Sequence, residues 1–161
     1  MPTIRIQTEI AAPLERVFDL ARSIDAHVDS AGGTGERAVA GRTAGLIGLG
    51  ETVTWEARHL GARQRLTVKV TRFDRPHLFE DTMVRGVFRE MRHTHRFAEA
   101  DGGTLMTDEF VFTAPLGPLG WLAERLFLTR YMRRFLSERN RVLKELAESD
   151  HWRLYLDAGT G

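Results

Sequence analysis

Residues 90–113 read EMRHTHRFAEADGGTLMTDEFVFT, and residues 114–148 read APLGPLGWLAERLFLTRYMRRFLSERNRVLKELAE. In the first stretch Met91, His93, His95 and Phe97 alternate with Glu90, Arg92, Thr94 and Arg96, the period of a strand with one buried face. Asp101-Gly102-Gly103 is a hairpin signal, and Leu105 to Phe112 returns as a second strand. The second stretch is punctuated by Pro115, Gly117, Pro118 and Gly120, then runs without a breaker to Ser149. A helix there is roughly 45 Å long at 1.5 Å per residue, enough to cross a whole small sheet. Leu128, Met132, Phe135, Val142 and Leu146 keep to one of its faces. A hairpin followed by such a helix predicts an antiparallel sheet with a long helix packed across it.

Upstream of this stretch the same alternation recurs. Ile4, Ile6, Thr8 and Ile10 define a first strand; Pro13 then opens a short helix carrying Leu14, Val17, Phe18 and Ala21, and Ile24 to Val28 suits a second. Glycines between Gly32 and Gly50 favour turns around a short strand near Glu36 to Ala40. Strands follow at Glu51 to Ala57, Leu66 to Thr71 and Leu78 to Val84, interrupted at Gly61, Arg75-Pro76 and Gly86. The total is seven strands, two short helices and one long helix. With no strand-helix alternation to build a parallel sheet, the class is α+β. Residues 1–149 form one domain, and residues 150–161 are left as a C-terminal tail.

Bulk properties narrow the function. At 161 residues, 42% hydrophobic and 28% charged, the chain can bury a full core or a core around a cavity. A formal charge of +1 gives no electrostatic reason to expect nucleic acid as a partner. The absence of cysteine removes disulfides, thiolate metal sites and a cysteine nucleophile. Met1 leads straight into the first strand pattern, and no run approaches the ~20 apolar residues of a membrane span, so the expectation is a cytoplasmic protein without a transmembrane segment.

The element order, together with GLGETVTWEA (48–57), FDRP (73–76), GVF (86–88) and HTHRF (93–97), resembles the superfamily that groups START lipid-transfer domains, polyketide cyclases and birch-pollen-allergen-like proteins, often called SRPBCC. The resemblance covers nearly the whole chain and lies nearest to cyclase/dehydrase-like domains. It implies a helix-grip fold, a curved seven-stranded sheet closed by the last helix around a cavity for a lipophilic small molecule. It does not fix the activity, because that scaffold hosts carriers, sensors and enzymes.

Strand parity places ionisable residues among apolar ones. His93 and His95 share a face with Met91 and Phe97; Glu51 shares that of Trp55, Asp81 that of Phe79, and Asp108 that of Phe110 and Phe112. Together with Phe88, these are the candidate ligand-binding residues, set against plain core packing for each aromatic. Three readings of the histidine pair compete: a cavity lining, a satisfied structural pair, and metal ligation. For the last, H-x-H supplies two imidazoles, and a zinc site needs a third ligand such as Asp81 or Asp108. No spacing in the sequence supplies one, so neither a bound metal nor a cofactor is expected. The arginines of the last helix, Arg125, Arg130, Arg133, Arg134, Arg139 and Arg141, are offset by glutamates and read as a solvated face. Residues 116–128 are apolar nearly all round, and Trp121, Leu122 and Phe127 are expected to meet ligand or a partner subunit.

The leading functional expectation is a binding protein or carrier for a lipophilic small molecule. One alternative is a cyclase or dehydratase on the same cavity, with either histidine moving a proton on a ketone-bearing ligand; no catalytic set of residues is assigned. The other is an interaction module that uses residues 116–128 to form a homodimer or to dock on an enzyme.

Overall fold

In the computed structural model, which describes residues 1–157, the strands are β1 (Thr3–Ile10), β2 (Arg37–Gly41), β3 (Thr52–His59), β4 (Ala62–Asp74), β5 (Leu78–Arg85), β6 (Glu90–Ala100) and β7 (Gly103–Thr113). They form one antiparallel sheet in the order β1-β7-β6-β5-β4-β3-β2, so the first strand closes against the last. Register shifts between Ala38 and Ala40 of β2, and at two places between β4 and β5, insert extra residues that bend the sheet. The result is the curved sheet of a helix-grip fold.

Helices α1 (Leu14–Ala21) and α2 (Ile24–Ser30) fill the crossover from β1 to β2. Phe18 of α1 is fully buried and makes edge-on contacts with Phe73, Phe79 and Phe97, with ring centroids 5.2–5.5 Å apart. This aromatic knot closes one end of the sheet, as edge-to-face quadrupole geometry favours. The other end of the sheet is left for the cavity.

The predicted single helix is interrupted. Leu116 takes a left-handed conformation at φ 72°, α3 (Gly117–Ala123) follows, residues Glu124–Leu128 wind as a π-helical turn, and α4 (Thr129–Glu148) completes the run. The cause is local: buried Glu124 turns back to accept the Ala114 N–H at 2.5 Å, while Thr129 Oγ1 donates to the Glu124 carbonyl at 2.8 Å. These bonds widen the turn, as π-bulges do. The buried stripe of α4 is Met132, Leu136, Asn140, Leu143 and Ala147. Phe135, Val142 and Leu146, expected at its centre, lie on its half-buried flank. A polar residue in mid-stripe, Asn140, hid the true axis from a hydrophobic count.

The expected tail is partly structured. After Ser149 a 3-10 turn (Asp150–Trp152) and α5 (Arg153–Leu156) bring Trp152, Tyr155 and Leu156 against the Phe18 side of the core. Tyr155 donates its hydroxyl to Asp29 at 2.5 Å, and Arg16 lies 4.3 Å over the Trp152 ring. Residues 158–161 of that tail lie outside the described residues. Among the described residues no helix is long and apolar enough to cross a membrane.

Candidate functional site

The register of three adjacent strands assembles a buried polar row. His95 of β6 lies opposite Phe79 of β5 and Asp108 of β7, while His93 lies opposite Asp81 and Phe110. Directly opposed and diagonal partners on one sheet face are both within reach of such side chains. Asp108 Oδ1 accordingly serves two imidazoles: His93 Nε2 stands 3.0 Å away and His95 Nδ1 2.8 Å away. Its other oxygen accepts from Asn140 Nδ2 of α4 at 2.6 Å. Asp81 Oδ2 lies 3.4 Å from His95 Nε2, which has no hydrogen-bond partner among the described residues. Phe79 stacks on the His95 ring at 4.2 Å.

Burial and charge set the protonation of this row. Burial pushes the Asp108 carboxyl up, but the hydrogen bonds and charges of His93 and His95 outweigh it and hold the group well below the usual carboxylate range. Burial likewise works against Asp81, and the His95 contact brings it below its ordinary value. His93 is pushed down to about 4, first by burial and then by the neighbouring His95. His95 would also be lowered by burial, but Asp108 and Asp81 together raise it. At neutral pH two carboxylates therefore flank His95, and His93 is neutral. Because Asp108 is an acceptor only, His93 Nε2 donates to it and Nδ1 keeps its lone pair.

Above this row, between the sheet and α4, lies a cavity of about 250 Å³. Its walls are largely apolar: Trp55, Leu66 and Val68 from β3 and β4, Phe88, Met91 and Phe110 from the other side, and Leu128, Met132, Phe135 and Leu136 from the π turn and α4. Asp81, His93 and Arg139 bring polarity to it, as do His27 and Glu36. His27 Nε2 is 2.5 Å from Glu36 Oε1, and its ring stacks on Trp55 at 3.9 Å. Burial first, and the Arg139 charge second, hold His27 below its ordinary value; Glu36, despite its own burial, is held below the usual range by His27. Toward the rim His59 Nδ1 and the Tyr131 hydroxyl share a hydrogen bond of 2.7 Å. Among the described residues the Arg139 side chain makes no hydrogen bond or ion pair, although its charge acts on His27, Glu36, Asp81 and His93.

Six of the expected site residues line this cavity: Trp55, Asp81, Phe88, Met91, His93 and Phe110. His95 and Asp108 lie directly behind His93. The others go elsewhere. Glu51 precedes β3 rather than joining it, so strand parity does not apply; it binds Arg42 Nε at 2.5 Å on the surface. Phe79 and Phe97 belong to the Phe18 knot, and Phe112 is wholly buried beside Phe88. Trp121, Leu122 and Phe127 are 55%, 46% and 48% exposed and do not reach the cavity, because the π turn directs only Leu128 inward. Sequence reasoning missed His27, Glu36, His59, Tyr131, Arg139 and Asn140. Arg139 sits seven residues after Met132 and four after Phe135, a helical spacing that places it beside the cavity wall rather than on the solvated face assigned to it.

The comparisons agree with this architecture. A crystal structure of TTHA0849 from Thermus thermophilus aligns with a TM-score of 0.74 at 20% identity, covering 89% of this chain and 95% of that one. Protein CV1439 from Chromobacterium violaceum aligns at 0.75 and 15% identity, covering 93% and 100%. A START superfamily protein from Mycobacterium smegmatis aligns at 0.68 and 12%, covering 91% and 97%. At these identities the likeness is one of fold. A comparison with curated proteins gives no match. The family model described as polyketide cyclase / dehydrase and lipid transport matches residues 1–148, nearly the whole chain. On that match and the helix-grip architecture, the chain belongs to the polyketide cyclase / dehydrase and lipid transport family of the SRPBCC superfamily.

Proposed function

We propose that this protein binds a small lipophilic molecule in the cavity beneath α4, acting as a binding protein or carrier. The molecule's apolar body lies against Trp55, Val68, Phe88, Met91 and Phe110, and its oxygenated end meets Arg139, His93 and Asp81. The observation that carries this reading is the cavity itself: about 250 Å³ of space where a side-chain-filled core would be expected. Open space with apolar walls forfeits dispersion contacts, and a ligand restores them. The volume falls just under the roughly 300–1,000 Å³ usual for ligand pockets, which supports a compact molecule. Arg139 supports an oxygen-bearing end, since a guanidinium offers five donors and this one has no partner among the described residues.

The test is displacement of anilinonaphthalene sulfonate, an apolar fluorescent probe, by candidate ligands. The reading expects one probe site per chain, abolished by Val68→Phe, which fills the cavity from the sheet, and unaltered by Trp121→Ala. Equal probe binding by the wild type and Val68→Phe would remove the cavity from the account. A second reading, a cyclase or dehydratase, is favoured by the neutral His93 beside Asp81 in the same lining. It requires that a ketone-bearing ligand leave the protein altered, having closed a ring or lost water, as mass spectrometry of the released molecule would reveal.

A further inference from the structure

One edge of the polar row is an ion-pair contact longer than a direct hydrogen bond. His95 Nε2 and Asp81 Oδ2 are 3.4 Å apart, and the nitrogen is buried without a hydrogen-bond partner among the described residues. A charge-assisted N–H to carboxylate bond settles at about 2.7–2.9 Å. Two ligands of one tetrahedral ion, each about 2.0–2.1 Å from it, stand about 3.3 Å from one another. His93 supplies a third donor, and one donor atom from each of the three residues lies within 4.8 Å of the others. Full ligation therefore needs His93 to close by no more than about 1.5 Å, within the reach of a side-chain rotation.

The surroundings fit the same use. Asp108 takes His93 Nε2 and His95 Nδ1 on one oxygen, leaving His93 Nδ1 and His95 Nε2 as the atoms free to bind an ion. Metal-bound histidines are oriented by carboxylates in this way. Asn140 fixes Asp108 in turn, and Phe79 covers the His95 ring. We propose that Asp81, His93 and His95 form a binding site for a divalent transition-metal ion, whose remaining coordination positions open onto the cavity. Two imidazoles and one carboxylate suit zinc or iron(II), and three protein ligands leave room for an oxygen of water or of a bound molecule. The third ligand that no sequence spacing supplied comes from β5, placed by sheet register. The site rests on the ligand-cavity reading only for what its open positions face.

The test uses the full chain, dialysed against a chelator and titrated calorimetrically with zinc chloride in the absence of any organic ligand, so that it fails or succeeds apart from the carrier reading. One saturable site per chain is expected. Asp81→Asn, nearly isosteric and on a partly buried residue, should weaken it at least ~10-fold, and Asp108→Asn by roughly 10–100-fold through the histidines it orients. A double variant of two remote histidines, His77→Gln with His151→Gln, should bind as the wild type does. Circular dichroism establishes that each variant is folded. Cobalt(II) gives an independent readout: the intense visible absorption of a four- or five-coordinate ion is expected. Absence of saturable zinc binding, undiminished binding by folded Asp81→Asn, or a cobalt spectrum like that of the ion in water would each overturn the site.

Discussion

Asn140 donates its Nδ2–H to Asp108 Oδ2 at 2.6 Å, joining the middle of the C-terminal helix to the sheet behind the polar end of the cavity. Both residues are buried, and the bond is made to a carboxylate held ionised. Hydrogen bonds to charged groups contribute about 1.5–3 kcal/mol, and leaving a buried charge short of a donor costs at least as much. Asn140→Leu should therefore lower the stability by about 2–3 kcal/mol in urea unfolding. Asn140→Asp, which sets a second carboxylate against Asp108, should cost more. Wild-type midpoints in both variants would show that the helix is not held to the sheet by this bond.

Phe18 is the centre of the opposite end of the core. Removing its ring from contact with Phe73, Phe79 and Phe97 should cost about 3–5 kcal/mol in Phe18→Ala. Leu126→Ala, at a site 66% exposed, should stay within about 0.5 kcal/mol of the wild type. Chemical denaturation of the two variants side by side tests whether the aromatic knot carries the fold.

Much of this was legible in the sequence. Alternation along 91–97 and 105–112 gave both strands and their inward faces, and so placed His93, His95 and Asp108 together, because strand parity is a local property. Parity failed for Glu51, which lies outside β3, and it did not separate cavity wall from packed core: Phe79 and Phe97 face inward as Trp55 and Met91 do, yet meet Phe18 instead of open space. That distinction depends on where α1 docks. Arg139 and Asn140 were missed because a polar residue on a helix is scored as solvated until its tertiary neighbours are known. His27 and Glu36 were missed because they meet only after α2 and the start of β2 fold onto Trp55.

His27 makes the stability depend on pH. It is buried among Glu36, Arg139 and, more distantly, Asp81, and its folded pKa lies below the ordinary 6.5. A histidine held neutral stabilises the fold above its unfolded pKa, and that contribution is lost as pH falls from 6.5 through the folded value. Glu36, also held below its ordinary 4.5, acts in the same direction lower down, losing its contribution as pH falls from 4.5. His59, lowered by burial, and His93, held down to about 4, act in the same direction as His27, while the raised His95 acts in the opposite one. Thermal midpoints should therefore fall as pH drops below 6.5, and His27→Gln should fall less steeply. Parallel curves would exclude His27 as the source.

Gly120 sets the junction between β7 and the last helices. A Cβ built there would lie 1.9 Å from the Pro115 carbonyl oxygen, a contact that only backbone movement relieves. Gly120→Ala should cost about 1–3 kcal/mol, as overpacking does. Its effect should be concentrated in hydrogen exchange of residues 117–128, with residues 136–146 protected as before. Uniform loss of protection along both segments would mean that α3 and α4 open as one unit.

The central claim is that the space beneath α4 is a ligand site. Its most direct test is native mass spectrometry of the wild-type chain and of Val68→Phe, both purified gently from the protein's own host. The account predicts a wild-type mass exceeding that of the polypeptide by one small molecule per chain, with the excess absent from the folded variant. The same adduct on both proteins, or bare polypeptide from both, would contradict it.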